Sequence, residues 1–365
     1  MNAGAKRMAV AYRWPKTLLL PPKPPRLVYL DLNHWISLAK AHSGHSSGQQ
    51  FRDLLQELDG ARKAGRALFP ISDTIFIEAS KIGPHRQRQD LRDVIEHLSG
   101  YEVVTSRTVI AAHEVEATFD DIVGPSTRPV NTMAYLDWGV LRALGLAGGV
   151  KVYDENGDDQ TEQARLVFKD GPEAFDKIVA EGEWQLQRDV LGGPELADEP
   201  GMRAKGWDPR ASMQIATRRA AEEMAQVQRF NSDPSWRRGR IRDVVAAHEC
   251  LVEWTRLLNE ATRDRGITLA DLFPKPADAR AAFDAMPSFD VAVSIKTSYH
   301  QDPNHRWTPN DMHDIDALGS TLPYCDVVVS DKAVVSHVER TGLADRLGCT
   351  VLSNLSELPD RKSVV

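Results

Sequence analysis

The stretch that decides the fold is Arg26-Leu27-Val28-Tyr29-Leu30-Asp31-Leu32-Asn33. Five residues, four of them large and apolar, stop abruptly at an aspartate. An unbroken apolar run this short reads as a strand covered on both faces, the kind found in parallel sheets. The polar turn after it predicts a helix beginning near His34. Working outward, Phe51, Leu54, Leu55 and Leu58 recur at helical spacing, and Ala67 to Ile71 is a second short apolar strand. Ser72-Asp73-Thr74 then offers N-cap residues for a helix carrying Glu78. Leu91, Val94, Ile95 and Leu98 mark another helix, ended by Gly100, and Tyr101 to Thr105 reads as a further strand. Strand and helix alternating at such short intervals predict a parallel sheet covered by helices.

Upstream, residues 1–26 end in Pro21-Pro22-Lys23-Pro24-Pro25 and read as an extended N-terminal arm. Downstream, the pattern breaks between 109 and 287. That block is charged and helical, with Ile241, Val244, Val245, Leu251, Val252 and Leu258 as an apolar stripe. Loops are expected at Gly192-Gly193-Pro194 and Gly206-Trp207-Asp208-Pro209. Strand signals return at Asp326-Val327-Val328-Val329-Ser330-Asp331 and Cys349-Thr350-Val351-Leu352. The expected organisation is therefore an α/β core in two pieces, 27–108 and 288–358. A helical insertion at 109–287 separates them, and residues 359–365 form a C-terminal tail.

The chain has 365 residues, 45 of them Lys or Arg and 52 Asp or Glu, for a net charge of −7. That balance disfavours gripping nucleic acid by bulk positive charge. Three cysteines without a CxxC spacing argue against a disulfide framework or a cysteine-rich zinc site. The N-terminus lacks a secretory apolar segment, and nowhere do about 18 apolar residues run together, so neither export nor a membrane partner is expected and a cytoplasmic location is. Gly44-His45-Ser46-Ser47-Gly48 matches a hydrolase pattern. It follows a helix rather than a strand, and so reads as a loop. No phosphate-binding glycine motif is present.

Two strands end in an aspartate, Asp31 and Asp331, and ligands bind at the carboxyl ends of strands in open α/β sheets. Glu78 lies in the helix after the second strand. In Asn310-Asp311-Met312-His313-Asp314-Ile315-Asp316, Asp311 and Asp314 share a helix face. Close carboxylates cannot all stay ionised without a compensating cation. Oxygen-only ligands suit Mg²⁺ or Mn²⁺ rather than zinc.

In order and spacing these motifs resemble the PIN domain, a family of metal-dependent ribonucleases. The matching elements are the apolar strand with Asp31-Leu32-Asn33, Ser72 to Glu78, the Asp314 helix and the strand ending Ser330-Asp331. The resemblance covers the two terminal pieces and not the insertion. It implies a three-layer α/β/α fold with a central, mainly parallel sheet, and an endoribonuclease holding Mg²⁺ or Mn²⁺ on Asp31, Glu78, Asp314 and Asp331. Asp311, Asp316 and Asp326 stand close enough in sequence to share that role, and the third acid is open between Asp311, Asp314 and Asp316. Asn33, Ser72 and Ser330 would support the ligands. Lys296, His300, His305, Arg306 and Lys332 are expected to meet RNA phosphates, with Tyr299 and Trp307 for base stacking. Arg237, Arg238 and Arg240 form a second basic run. The insertion would shape RNA access or make an oligomer contact. The competing readings are a non-catalytic RNA-binding or scaffold protein of the same fold, and a metal-dependent DNA nuclease or phosphatase.

Overall fold

The computed structural model describes residues 11–358, except 147–148, 196, 205–207 and 209. The protein is mixed α/β, mostly helical, with parallel strand pairs. Strand Arg26–Leu30 is followed by helix Leu32–His42, and helix Arg52–Lys63 carries buried Leu54, Leu55 and Leu58. The second strand is shorter than its apolar run, Ala67–Leu68. Ile71 makes only a bridge to Val103. Helix Asp73–Ala79 starts at Ser72, and helix His85–Ser99 ends at Gly100 with φ 62°. This left-handed turn costs glycine nothing, which is why the helix stops there. Strand Glu102–Val104 follows. The Gly44–Gly48 loop lies after a helix and runs into a 3₁₀ turn over Ser46–Phe51, so the hydrolase context is absent there.

The chain divides into two compact units, each built from several segments. One comprises Lys23–Ser106, Leu136–Ser212 and 356–358. Its strand Arg26–Leu30 pairs in parallel with Ala67–Leu68, in register Arg26 to Ala67 and Leu27 to Leu68. Glu102–Val104 pairs antiparallel with Leu136–Trp138. The long helix Pro172–Gly192 packs on this unit: Arg188 reaches Glu96, and Arg88 donates to the Gly192 and Pro194 carbonyls.

The other unit comprises 11–22, Arg107–Tyr135 and Met213–Leu355. Strand Val327–Val329 pairs in parallel with Thr350–Leu352, and Leu18–Leu19 of the arm pairs in parallel with Met133–Ala134. The arm is thus held in place from Tyr12 onward. Tyr12 donates to buried Asp290, and Thr17 meets His113 at 2.7 Å. A core of Phe119, Phe230, Trp254, Leu258, Met286 and Phe289 sits under helices Arg107–Val123, Ile241–Val252, Thr255–Arg263 and Pro287–Gln301. The predicted stripe from Ile241 to Leu258 is two helices broken at Glu253-Trp254, and Leu251 at its end is exposed.

Residues 109–287 are mostly helical, as the sequence predicts, and they are divided between the two units. The first ten residues of the arm, the C-terminal tail 359–365 and most of the Gly206–Pro209 loop lie outside the described residues. Among the described residues no helix is long and apolar enough to cross a membrane.

Candidate functional site

In the first unit, strand Arg26–Leu30 is buried over its last four residues and delivers Asp31 at its carboxyl end. Asp31 is the N-cap of helix Leu32–His42, its carboxylate accepting from the Leu32 amide at 2.7 Å. An aspartate is favoured there because it satisfies an amide that the helix leaves without a partner. Ser72 caps the Glu78 helix by position only. Its hydroxyl turns inward to the Tyr29 hydroxyl at 3.0 Å and to Thr74 at 2.6 Å.

Glu78 is held above the usual carboxylate range. Burial is the main cause, the Lys81 ammonium at 3.6 Å opposes it, and the Asp31 charge adds to it. The Tyr29 hydroxyl is likewise raised by burial and then by Asp31 and Glu78. Tyr29, Asp31 and Glu78 therefore form one electrostatic neighbourhood. Asn33, expected beside Asp31, is exposed on the first turn, where its carbonyl accepts from Ser37.

In the second unit, helix Pro309–Thr321 opens with a capping box. The Asp311 carboxylate accepts from the Thr308 amide at 2.6 Å and the Thr308 hydroxyl at 2.9 Å, with His305 at 3.5 Å. Asp316 points elsewhere and accepts from Arg107 at 3.0 Å and from both ends of the Arg219 guanidinium. These charges hold it well below the usual range. Asp316 is thus neutralised by two arginines of the protein itself. Asp331 follows strand Val327–Val329 and caps helix Lys332–Thr341, accepting from the Ala333 and Val334 amides at 2.8 and 2.9 Å.

Three acids of this unit act electrostatically on one side chain. Burial and then Asp314, Asp311 and Asp331 push the Tyr299 hydroxyl far up, with Arg340 opposing. Asp326 lies just before the strand, its carbonyl accepting from Thr350, and Ser330 is buried with its amide on the Leu352 carbonyl.

Several residues expected to face RNA are interior. Lys296 is 1% exposed and lies 2.6 Å from Glu223 and 2.7 Å from Glu249. His300 is 0% exposed and bonds Glu223 at 2.8 Å. Tyr299 and Trp307, expected to stack on bases, are buried against His305 and each other. The reason is helix Pro287–Gln301, which is buried on every face along nearly its whole length. A helix buried all round must neutralise its polar residues internally. Arg237 is half-buried over the Phe230 ring, donating to the His300 carbonyl and to Asn231. Arg238, Arg240, Arg306 and Lys332 are exposed.

The structure adds two residues beside the Tyr299 neighbourhood. The His337 ring lies edge-on to Tyr299, 4.3 Å between centroids, and bonds Ser298 at 2.8 Å. Arg340 reaches the same imidazole at 2.9 Å. His337 is held down to about 4, chiefly by burial and then by Arg340. No spacing in the sequence relates His337 or Arg340 to Asp314.

All the gathered acids are oxygen donors of like charge, which fits a hard divalent cation. Mg²⁺ typically takes one or two protein carboxylates and completes its shell with water and phosphate oxygens. The Asp31–Glu78 neighbourhood fits that mode. Among the described residues no group of three or more His, Cys, Asp or Glu side chains is placed to hold a metal alone. No family model, curated protein or solved structure matches this chain.

Proposed function

We propose that the protein is a PIN-like, Mg²⁺- or Mn²⁺-dependent endoribonuclease, with Asp31, Glu78, Asp314 and Asp331 as its metal-binding carboxylates and the block 109–287 as an elaboration of a three-layer α/β/α fold. One observation carries the reading: each of two buried strands ends in an aspartate that caps the next helix, and each aspartate has further acids in its electrostatic neighbourhood. Like charges gathered at strand ends cost free energy unless a cation joins them. That the four acids serve one reaction rests on their order along the chain.

When bound, the cation supplies a water of lowered pKa and a contact for phosphate oxygens. The chain's own part is positional. The Leu32, Ala333 and Val334 amides fix one oxygen each of Asp31 and Asp331, so that these carboxylates keep a set orientation. Burial keeps Glu78 poorly solvated and so raises its preference for a partner cation. Tyr299 and Trp307 are buried against each other and His305 and so offer no stacking platform.

The test is cleavage of labelled single-stranded RNA by the purified protein with Mn²⁺ or with EDTA. Cleavage requires the metal and is lost in Asp31→Asn and Asp331→Asn. Metal-independent cleavage, or full activity in both variants, would refute the proposal. Binding of RNA without cleavage would favour the scaffold reading, and cleavage of DNA alone the DNA nuclease.

A further inference from the structure

Several arginines of the second unit, Arg107, Arg219, Arg242, Arg265 and Arg346, bond carboxylates. A guanidinium so paired has no net charge to offer a ligand. Arg340, like Arg237, has neutral partners instead, and unlike Arg237 it is exposed. It lies near the end of helix Lys332–Thr341, whose cap is Asp331. Its Nε donates to the Ser336 carbonyl at 3.2 Å, and its Nη2 meets the His337 ring at 2.9 Å to Nδ1 and 3.3 Å to Nε2. Both partners are neutral: a carbonyl, and an imidazole kept unprotonated by burial. Among the described residues no carboxylate lies within ion-pair distance of Arg340.

This arrangement fixes the direction of the guanidinium without spending its charge. His337 is itself fixed by Ser298 and by the Tyr299 ring. Arg340 acts on the same two side chains, Tyr299 and His337, as Asp311 and Asp331 do. Geometrically, Arg340 bonds His337, whose ring lies edge-on to Tyr299, and Tyr299 stacks on His305, 3.5 Å from Asp311, so that an oriented positive group joins this cluster without a carboxylate partner of its own. An arginine fork held in this way matches the two oxygens of a phosphodiester. Glu339, one residue before it and also exposed, lies on another face of the helix, so the attraction is that of one residue rather than a basic stripe.

We propose that Arg340 is a phosphate-binding residue that holds one phosphodiester of the RNA strand next to this cluster of Tyr299, His305 and Asp311, oriented by His337. The inference rests on the ribonuclease reading. It supplies the local positive contact that Lys296 and His300, being interior, do not.

The experiment measures cleavage of a labelled single-stranded RNA by the full-length protein in Mn²⁺, using a set of oligonucleotides each carrying one uncharged methylphosphonate. Arg340→Ala lowers kcat/KM about 10- to 100-fold, the range for a lost charge-assisted hydrogen bond. The loss appears mainly in KM, and Mn²⁺ binding and the near-UV circular dichroism stay unchanged. Arg340→Lys keeps the charge without the fork and falls between. One methylphosphonate position, costly to the wild type, costs Arg340→Ala nothing more. Arg340→Ala that cleaves like the wild type, or that remains sensitive to every substituted position, would overturn the inference alone. A wild type that neither binds nor cleaves RNA would overturn the ribonuclease reading and the inference with it.

Discussion

Two regions of the second unit meet the same problem, carboxylates taken out of water, and solve it with different partners. In one, buried Glu249 touches Arg107 and Lys296, half-buried Asp316 touches Arg107 and Arg219, and buried Glu223 touches Lys296 and His300. Burial alone would raise these acids, yet the cations win and hold all three below the usual range. In the other, Asp311 is likewise held below the usual range, but by His305 and by the Thr308 amide and hydroxyl, and Asp331 accepts from the Ala333 and Val334 amides. The lesson is that acidity in the sequence does not mark a metal site. What differs between the two regions is the stabilising group: buried cations for Glu223 and Glu249, helix-terminus donors with His305 for Asp311.

The largest test of this contrast is Lys296→Met. Removing one partner of a buried charge cluster leaves carboxylates uncompensated and costs about 3–5 kcal/mol. A urea titration showing less than about 1 kcal/mol would mean that the interior acids do not depend on this cation. Next in size is the metal itself. At a hundredfold excess over its dissociation constant, Mn²⁺ stabilises the wild type by about 2.7 kcal/mol. In Asp31→Asn with Glu78→Gln this gain disappears, whereas Asp316→Asn retains it. A retained gain in the double variant would place the cation elsewhere.

A third test concerns Glu114, fully buried and pushed up to about 7 by burial against the hydrogen bonds of Ser288 and Tyr324. Its folded pKa exceeds its unfolded one. Its stabilising contribution is therefore complete below the ordinary glutamate range and fades as pH rises through about 7. In Glu114→Gln the slope of stability between roughly pH 4.5 and 7 flattens. An unchanged slope would show that this acid is ionised throughout. The smallest effect is expected at Glu78, where Lys81 already offsets part of the strain. Without metal, Glu78→Gln raises the urea midpoint at pH 7. The gain vanishes as pH falls into the ordinary carboxylate range, because Glu78 is then protonated in both states. A lowered midpoint at pH 7 would show that Glu78 is already compensated within the protein.

The elements up to Val104 were legible because short buried strands, capped helices and Gly100 write their constraints locally. So were Asp31 and Asp331, since a residue that ends a strand and begins a helix is named by its neighbours. The RNA-facing set was not. Lys296, His300, Tyr299 and Trp307 look like a binding surface in sequence, but helix Pro287–Gln301 is surrounded on all sides. A charge is indistinguishable in sequence whether it faces water or Glu249. The ambiguity among Asp311, Asp314 and Asp316 was likewise out of reach, because Arg107 and Arg219 arrive from distant segments.

The sequence by itself determined the local grammar: which runs become strands, where helices start and stop, and which aspartates stand at strand ends. These follow from apolar periodicity and from the needs of helix termini. Only the tertiary structure decided which charges are spent. Pairing depends on what lies across a few ångströms of space, and those partners come from far along the chain. That is why Asp316 and Lys296 are neutralised within the protein, while Arg340, with no motif to announce it, is exposed with neutral partners.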